Sequence, residues 1–151
     1  MNVHVHEVSW ESHQTELRAV RNAVFIEEQN VPRDLEWDGM DETSNHFIAE
    51  TSDGDVIGTA RLRPSGQIGR MAILIPYRGH GIGRRLLDMA IQSASRSGMK
   101  EVFLHAQSYA LEFYLKAGFI ADGLEFEEAG IPHRSMKRST EDRERSIRQS
   151  P

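Results

Sequence analysis

The chain has 151 residues and no cysteine, and its 18 lysines and arginines face 23 aspartates and glutamates, for a net charge of −5. That length points to one domain, large enough to bury about two-thirds of its unfolded surface. The acidic balance argues against general nucleic-acid binding, which needs a basic face to displace counterions, and the missing cysteines exclude disulfides, thiolate nucleophiles and thiolate-bound zinc.

The opening Met-Asn-Val-His-Val-His-Glu has no basic region followed by an apolar core, so no signal peptide is expected. No apolar run approaches the roughly 20 residues of a membrane helix, and the expected location is cytoplasmic. Val3, Val5 and Val8 alternate with polar residues, which predicts a first strand. His4 and His6 share one face of it, but no third metal ligand is evident from the spacing, so no metal is expected. Ser12 is a candidate cap for a helix carrying Leu17, Val20, Val24 and Phe25 at three- and four-residue intervals, ending near Gln29-Asn30 before Pro32. Residues 31–45 are polar and turn-rich and read as a loop with at most a short helical piece.

A meander follows. Strands at 46–50 and 56–62 flank an Asp53-Gly54 hairpin turn, and a strand over 67–75 comes after Pro64-Ser65-Gly66. A helix beginning near Ile82 places Leu86, Leu87, Ala90, Ile91 and Ala94 on one face and stops at Gly98. Val102-Phe103-Leu104 reads as a central strand, Ser108 as the start of a helix ending at Gly118, and about 119–126 and 133–138 as two last strands. The fold class is therefore α/β (mixed α+β), a central mixed sheet of about seven strands with helices on both faces. Residues 1–138 form the domain, and 139–151 form a charged tail expected to be disordered.

Between the third meander strand and the helix lies Arg78-Gly79-His80-Gly81-Ile82-Gly83-Arg84. Such a strand-to-helix turn aims unpaired amides and the positive end of a helix dipole at one point. Gly81 and Gly83 leave the backbone open to an anion, and Arg78, Arg84 and Arg85 add charge. No Lys-Ser/Thr follows as a P-loop requires, and Arg84 stands where a dinucleotide fingerprint needs a small residue. What remains is Arg-x-x-Gly-x-Gly, which resembles the acyl-CoA pyrophosphate loop of the GNAT superfamily of N-acyltransferases.

Three further features match that superfamily: the meander feeding the turn, Phe113-Tyr114-x-x-x-Gly118-Phe119, and the closing strand ending in Met136-Lys137-Arg138. Arg21-x-x-Val24-Phe25-x-x-Glu28-Gln29-x-Val31-Pro32, together with Gly130-x-Pro132-His133-x-x-Met136, is similar to a bacterial ElaA-like subgroup. The second of these also resembles the closing segment of glyphosate-acetylating relatives. The resemblance implies a splayed strand pair, residues 67–75 and 101–106, holding acetyl-CoA as co-substrate. Met71, Ala72 and Ile73 would bond the pantetheine arm, the amides of Arg78, Gly79, His80, Gly81, Ile82, Gly83 and Arg84 the pyrophosphate, and Gln107 and Ser108 the mouth of the splay.

Transfer of an acetyl group to a primary amine needs a neutral amine, donors for the developing oxyanion and a proton for the departing thiolate. By resemblance Tyr114 is the acid, otherwise an ordinary core tyrosine, and His133 is the base, otherwise a residue orienting the closing strand. Glu28 on the first helix is a competing base. His105 either binds acceptor or is a satisfied buried histidine. Arg21 and Arg70 either clamp an acidic acceptor or pair with the acidic 34–42 loop. The acceptor is read as a small-molecule amine; the alternatives are a protein amine, or a regulatory domain that binds coenzyme A without turnover. Homodimer formation is a further implication of the family, although no sequence feature specifies an interface.

Overall fold

The computed structural model describes residues 2–141. Strand β1 (Val3–Val8) leads into α1 (Trp10–Arg21), which continues as a π-helical stretch over Asn22–Glu28; a short α2 follows at Arg33–Glu36. The cap of α1 is Ser9, whose Oγ accepts from the Ser12 amide at 3.1 Å. The sequence pointed to Ser12; the helix begins a turn earlier because His13 (φ −129°) kinks it and adds a short first turn.

The meander is β2 (Asn45–Thr51), β3 (Val56–Leu62) and β4 (Ile68–Ile73). Antiparallel pairing gives the order β1-β2-β3-β4. Along β2, Phe47 and Ala49 point to one face and Ile48 to the other. Helix α3 (Ile82–Arg96) covers the first face with Leu86, Leu87, Ala90 and Ala94, and α1 covers the second with Leu17 and Trp10. The period of two in the strand thus meets two apolar helix stripes. As expected, helices lie on both faces.

A second sheet contains β5 (Glu101–Gln107), β6 (Ile120–Ala121), β7 (Phe126–Glu128) and β8 (Ile131–Ser139), with β8 pairing all three others. Between β5 and β6 the chain makes a 3₁₀ turn and α4 (Leu111–Lys116). The expected mixed sheet of about seven strands is thus eight strands in two four-stranded sheets. One parallel bridge, Gln67 to Phe103, joins them. Thr140, just past β8, is bonded to Lys100 and Met99. Residues 142–151 of the expected tail lie outside the described residues.

The β7–β8 turn is Ala129-Gly130, with φ +53° and +75°. Both positions of such a two-residue turn need positive φ, and an alanine Cβ costs about 1–2 kcal/mol there. Ala129→Asn should raise stability by about 0.5–1 kcal/mol. A urea midpoint that falls, at unchanged slope, would refute this.

Candidate active site

The glycine turn has the expected openness. Gly79 (φ +83°) and Gly81 (φ +77°) adopt left-handed backbone, and a Cβ on either would meet nothing within 4 Å. Gly81 immediately precedes α3, whose first amides no side chain caps among the described residues. Ile82, buried at 3 % exposure, pins the helix start to the core. His80 stays exposed. At Gly83 a Cβ would make ordinary van der Waals contact with the Phe113 ring at 3.7 Å. Uncapped amides plus a helix dipole make a ready anion cradle.

The arginines at this turn have local partners. Arg84 pairs with Asp88 at 2.9 Å, and Arg85 donates to the Val3 carbonyl. Arg78 donates from Nε to the Ile73 carbonyl at 2.8 Å and grips the Glu28 carboxylate with both Nη atoms. That hydrogen bond holds the Glu28 carboxyl below its ordinary pKa. Glu28 therefore anchors the turn, and it does not line the cavity described next.

Strands β4 and β5 meet at Gln67 and Phe103, where the Phe103 amide donates to the Gly66 carbonyl at 3.1 Å, and part beyond that point. In β4 the Leu74 amide bonds the Ile57 carbonyl and Ala72 lies opposite Thr59. By antiparallel alternation, Met71 and Ile73 turn their backbone groups away from β3; Met71 lines the gap, and the Ile73 carbonyl is taken by Arg78 Nε. A bulge sits just before them. Ala60 faces both Arg70 and Met71, Arg70 takes φ +48°, and Thr59 Oγ1 donates to its carbonyl at 2.9 Å. Bulges of this kind re-aim a strand next to a site.

The gap opens into a cavity of about 460 Å³ whose walls include Met71, Tyr114, Gln107, His105, His133 and Arg70. Six of the residues singled out from sequence thus share one space. The Tyr114 hydroxyl donates only to the Met71 sulfur, at 3.9 Å, a weak partner that is easily exchanged. Burial, helped by Tyr109, pushes its pKa up to about 12, so the phenol keeps its proton at neutral pH. His133, 6 % exposed, donates from Nδ1 to the Ile131 carbonyl at 2.7 Å. That bond fixes the tautomer and leaves Nε2 as the acceptor. Glu128 lies 3.7 Å from this Nε2 and accepts from His105 Nδ1 at 3.0 Å. Phe126 stacks on His133 and meets His105 edge-on, keeping the two imidazoles apart. Gln107 donates to Gln29 at 3.0 Å, tying β5 to the π-helical stretch across the gap. Ser108 instead bonds Glu125 and stays off the cavity wall.

Behind one wall stands a closed ring of alternating charge. Arg21 bonds Glu36 at 2.8 Å, Glu36 pairs with Arg70 at 3.0 Å, and Arg70 pairs with Asp38 at 3.1 Å. Asp38 pairs with Arg61 at 2.8 Å, Arg61 with Asp41 at 3.0 Å, and Asp41 with Arg21 at 2.7 Å. Burial raises the Glu36 carboxyl above its ordinary range, more than its arginines lower it. Burial alone would raise Asp38 and Asp41 too, but Arg61, the Met40 amide and Arg70 hold Asp38 low, and Arg21 and Arg61 hold Asp41 low. Arg21, 1 % exposed, is packed between Trp10 and Trp37 and does not reach the cavity. Of the two expected acceptor clamps only Arg70 lines the cavity, with its charge already matched. On β1, His4 and His6 stack at 4.6 Å, and His6 bonds Glu50.

Sequence reasoning missed Glu128 and Gln29. Glu128 looks like one of several solvated acids in Glu125-Phe126-Glu127-Glu128, and only the period of two in β7, with Phe126 on the same face, signals it.

The acetyltransferase (GNAT) domain profile matches residues 12–140. Protein ElaA of Escherichia coli is 32 % identical over 130 residues, covering 81 % of this chain and 84 % of that protein. The "Uncharacterized N-acetyltransferase YjcF" of Bacillus subtilis is 34 % identical over 121 residues, 78 % of this chain and 86 % of that one. The crystal structure of Escherichia coli ElaA superposes with a TM-score of 0.82 at 29 % identity, covering 91 % of this chain and 99 % of that one. An acyl-CoA N-acyltransferase from Pseudomonas aeruginosa gives a TM-score of 0.80 at 29 % identity with the same coverage. The parted strands, the glycine turn and these matches agree, and the chain belongs to the GNAT family of acyl-CoA-dependent N-acyltransferases.

Proposed function

We propose that the protein transfers an acetyl group from acetyl-CoA to the primary amine of a small molecule by direct attack. One observation carries this reading: the Tyr114 phenol, the Met71 edge of the parted strand and His133, whose Nε2 faces Glu128, all line one cavity. The residues present fit coenzyme A. The open Gly79-Gly81 backbone and uncapped α3 suit its pyrophosphate, and the β4 edge at Met71–Ile73 suits its amide-bearing arm.

Acetyl-CoA, when bound, supplies the acetyl group and a thiolate leaving group. His133 Nε2 takes the proton of the attacking amine while its Nδ1–H stays on the Ile131 carbonyl, and Glu128 faces the imidazolium that results. The backbone N–H groups turned into the gap face the charge that develops on the carbonyl oxygen. Tyr114 delivers its proton to the sulfur, exchanging Met71 for a better acceptor. With no cysteine in the chain, no thioester relay through the protein is available.

The test is free-thiol release from acetyl-CoA across a panel of small amines. Amine-dependent release that falls about 100-fold in His133→Ala supports the reading. Coenzyme A binding without release on any amine overturns it.

A further inference from the structure

The cavity walls carry three arginines and three carboxylates, and their charges do not cancel everywhere. Arg61 and Arg70 belong to the closed ring, where each touches two carboxylates. Glu36 and Asp38 are the acids of that same ring, and Glu128 is held between His105 and His133. Arg63 is the remaining cation. Among the described residues it meets no carboxylate. Its side-chain partner is the neutral Gln67 amide oxygen, which accepts from Nη1 at 2.9 Å. Its Nε is buried and makes no hydrogen bond.

A half-buried guanidinium without a counter-charge is costly, yet this one is held firmly. Its backbone closes the β3–β4 turn through Arg63 N–H to the Gln67 carbonyl at 2.8 Å and Gly66 N–H to the Arg63 carbonyl at 2.9 Å. Because Gln67 turns its oxygen to Arg63, its own amide N–H groups remain as donors beside the guanidinium. The pair forms a fork of donors suited to a planar or tetrahedral oxyanion. The cavity is therefore polarised, with unmatched positive charge at Arg63 and the acid–base group Glu128–His133 on the β7–β8 wall.

We infer that Arg63, seconded by Gln67, is an anion subsite, and that the acceptor is a small amine bearing a carboxylate or phosphonate. The inference rests on the acetyltransferase reading for which end of the acceptor reacts: the acid docks at Arg63 and the amine points toward His133. Of the two sequence readings for Arg21 and Arg70 it sets aside the acid clamp, because both pair with the acidic 34–42 loop inside the ring.

The experiment titrates the protein, with and without coenzyme A, with L-amino acids and ω-aminoalkylphosphonates. Each is set against the same skeleton with the acid replaced by a neutral amide or a methyl group. Binding is read by calorimetry and turnover by thiol release. Acid-bearing members should bind about 10–100-fold tighter than their neutral partners, and Arg63→Gln should erase that preference. Arg63→Lys should restore part of it. The carboxylate and phosphonate arms tell which acid is meant. Equal or tighter binding of the neutral partners, an acid preference that survives Arg63→Gln, or no binding by any compound overturns the subsite. Acid-selective binding that needs Arg63, with no turnover on any amine, upholds the subsite and removes the acetyltransferase reading instead.

Discussion

Arg21→Met should lower the free energy of unfolding by about 3–5 kcal/mol, dropping the thermal midpoint by roughly 6–20 °C. Arg21 is 1 % exposed and meets Glu36, at 2 % exposure, and Asp41, at 7 %. Methionine fills much of the volume between Trp10 and Trp37, so the loss comes from two buried carboxylates left without their cation rather than from a void. The remaining links of the ring do not compensate: Arg70 still reaches Glu36 and Arg61 still reaches Asp41, but each also serves Asp38.

pH separates this account from simple loss of packing. Asp38 and Asp41 are held below their ordinary range, so their contribution is present above about pH 4, the unfolded aspartate value, and is lost as acid protonates them in the fold. Glu36 works the other way. Its raised pKa means the folded state is favoured below about pH 4.5 and loses that advantage as the pH climbs through the raised value. Without Arg21, Asp41 and Glu36 both become easier to protonate, and a protonated carboxyl needs no cation. The deficit of Arg21→Met should therefore shrink between pH 7 and pH 4. Adding Glu36→Gln should recover part of it at pH 7. A deficit under 1 kcal/mol in urea unfolding, or one that does not change with pH, would sink the idea that the ring holds this wall together.

What could be read from sequence was what local physics decides. Alternation at Val3–Val8, the Asp53-Gly54 hairpin and the glycine stop at Gly98 each depend on neighbours only, and each element formed within a residue or two of its expected place. The departures come from tertiary context. The π-helical stretch at Asn22–Glu28 does not follow a 3.6-residue period, so a periodicity reading runs straight through it, and its wider turn is what accompanies Phe25 and Gln29 lining the cavity. At the bulge the positive φ falls on Arg70 rather than on the neighbouring Gly69, and the turn is held by Thr59 from the next strand. The site divides in the same way. Tyr114, His133 and Gln107, picked out by resemblance, line one cavity, whereas spacing cannot say which of many arginines is neutralised. Arg21 and Arg63 look equally available in the sequence; pairing across 15 to 20 residues spends one and leaves the other.

Tyr114→Phe should cut kcat by about 100-fold or more while leaving the fold nearly untouched. Its hydroxyl bonds only the Met71 sulfur at 3.9 Å, so removing it strands no strong partner, and the edge-on contacts of the ring with Phe113 and Phe119 are kept by phenylalanine. The thermal midpoint should move by no more than a few degrees. If the phenol supplies the proton that the departing thiolate needs, the loss falls on kcat, and coenzyme A affinity, which the proposal assigns to the glycine turn and the β4 edge, stays close to wild type. The pH profile gives a second reading. With its pKa pushed up to about 12, Tyr114 stays protonated across an assay from pH 6 to 9, so its removal should leave the shape of the profile in that range unchanged at a lower plateau. For stability the sign is fixed as well. A phenol whose pKa rises on folding favours the fold fully below about pH 10 and loses that contribution as the pH approaches 12, so wild type should weaken more steeply than Tyr114→Phe in that window. Full activity in Tyr114→Phe, or a loss confined to the KM for acetyl-CoA, would take the proton-donor role away from this residue and leave water in the gap to protonate the sulfur.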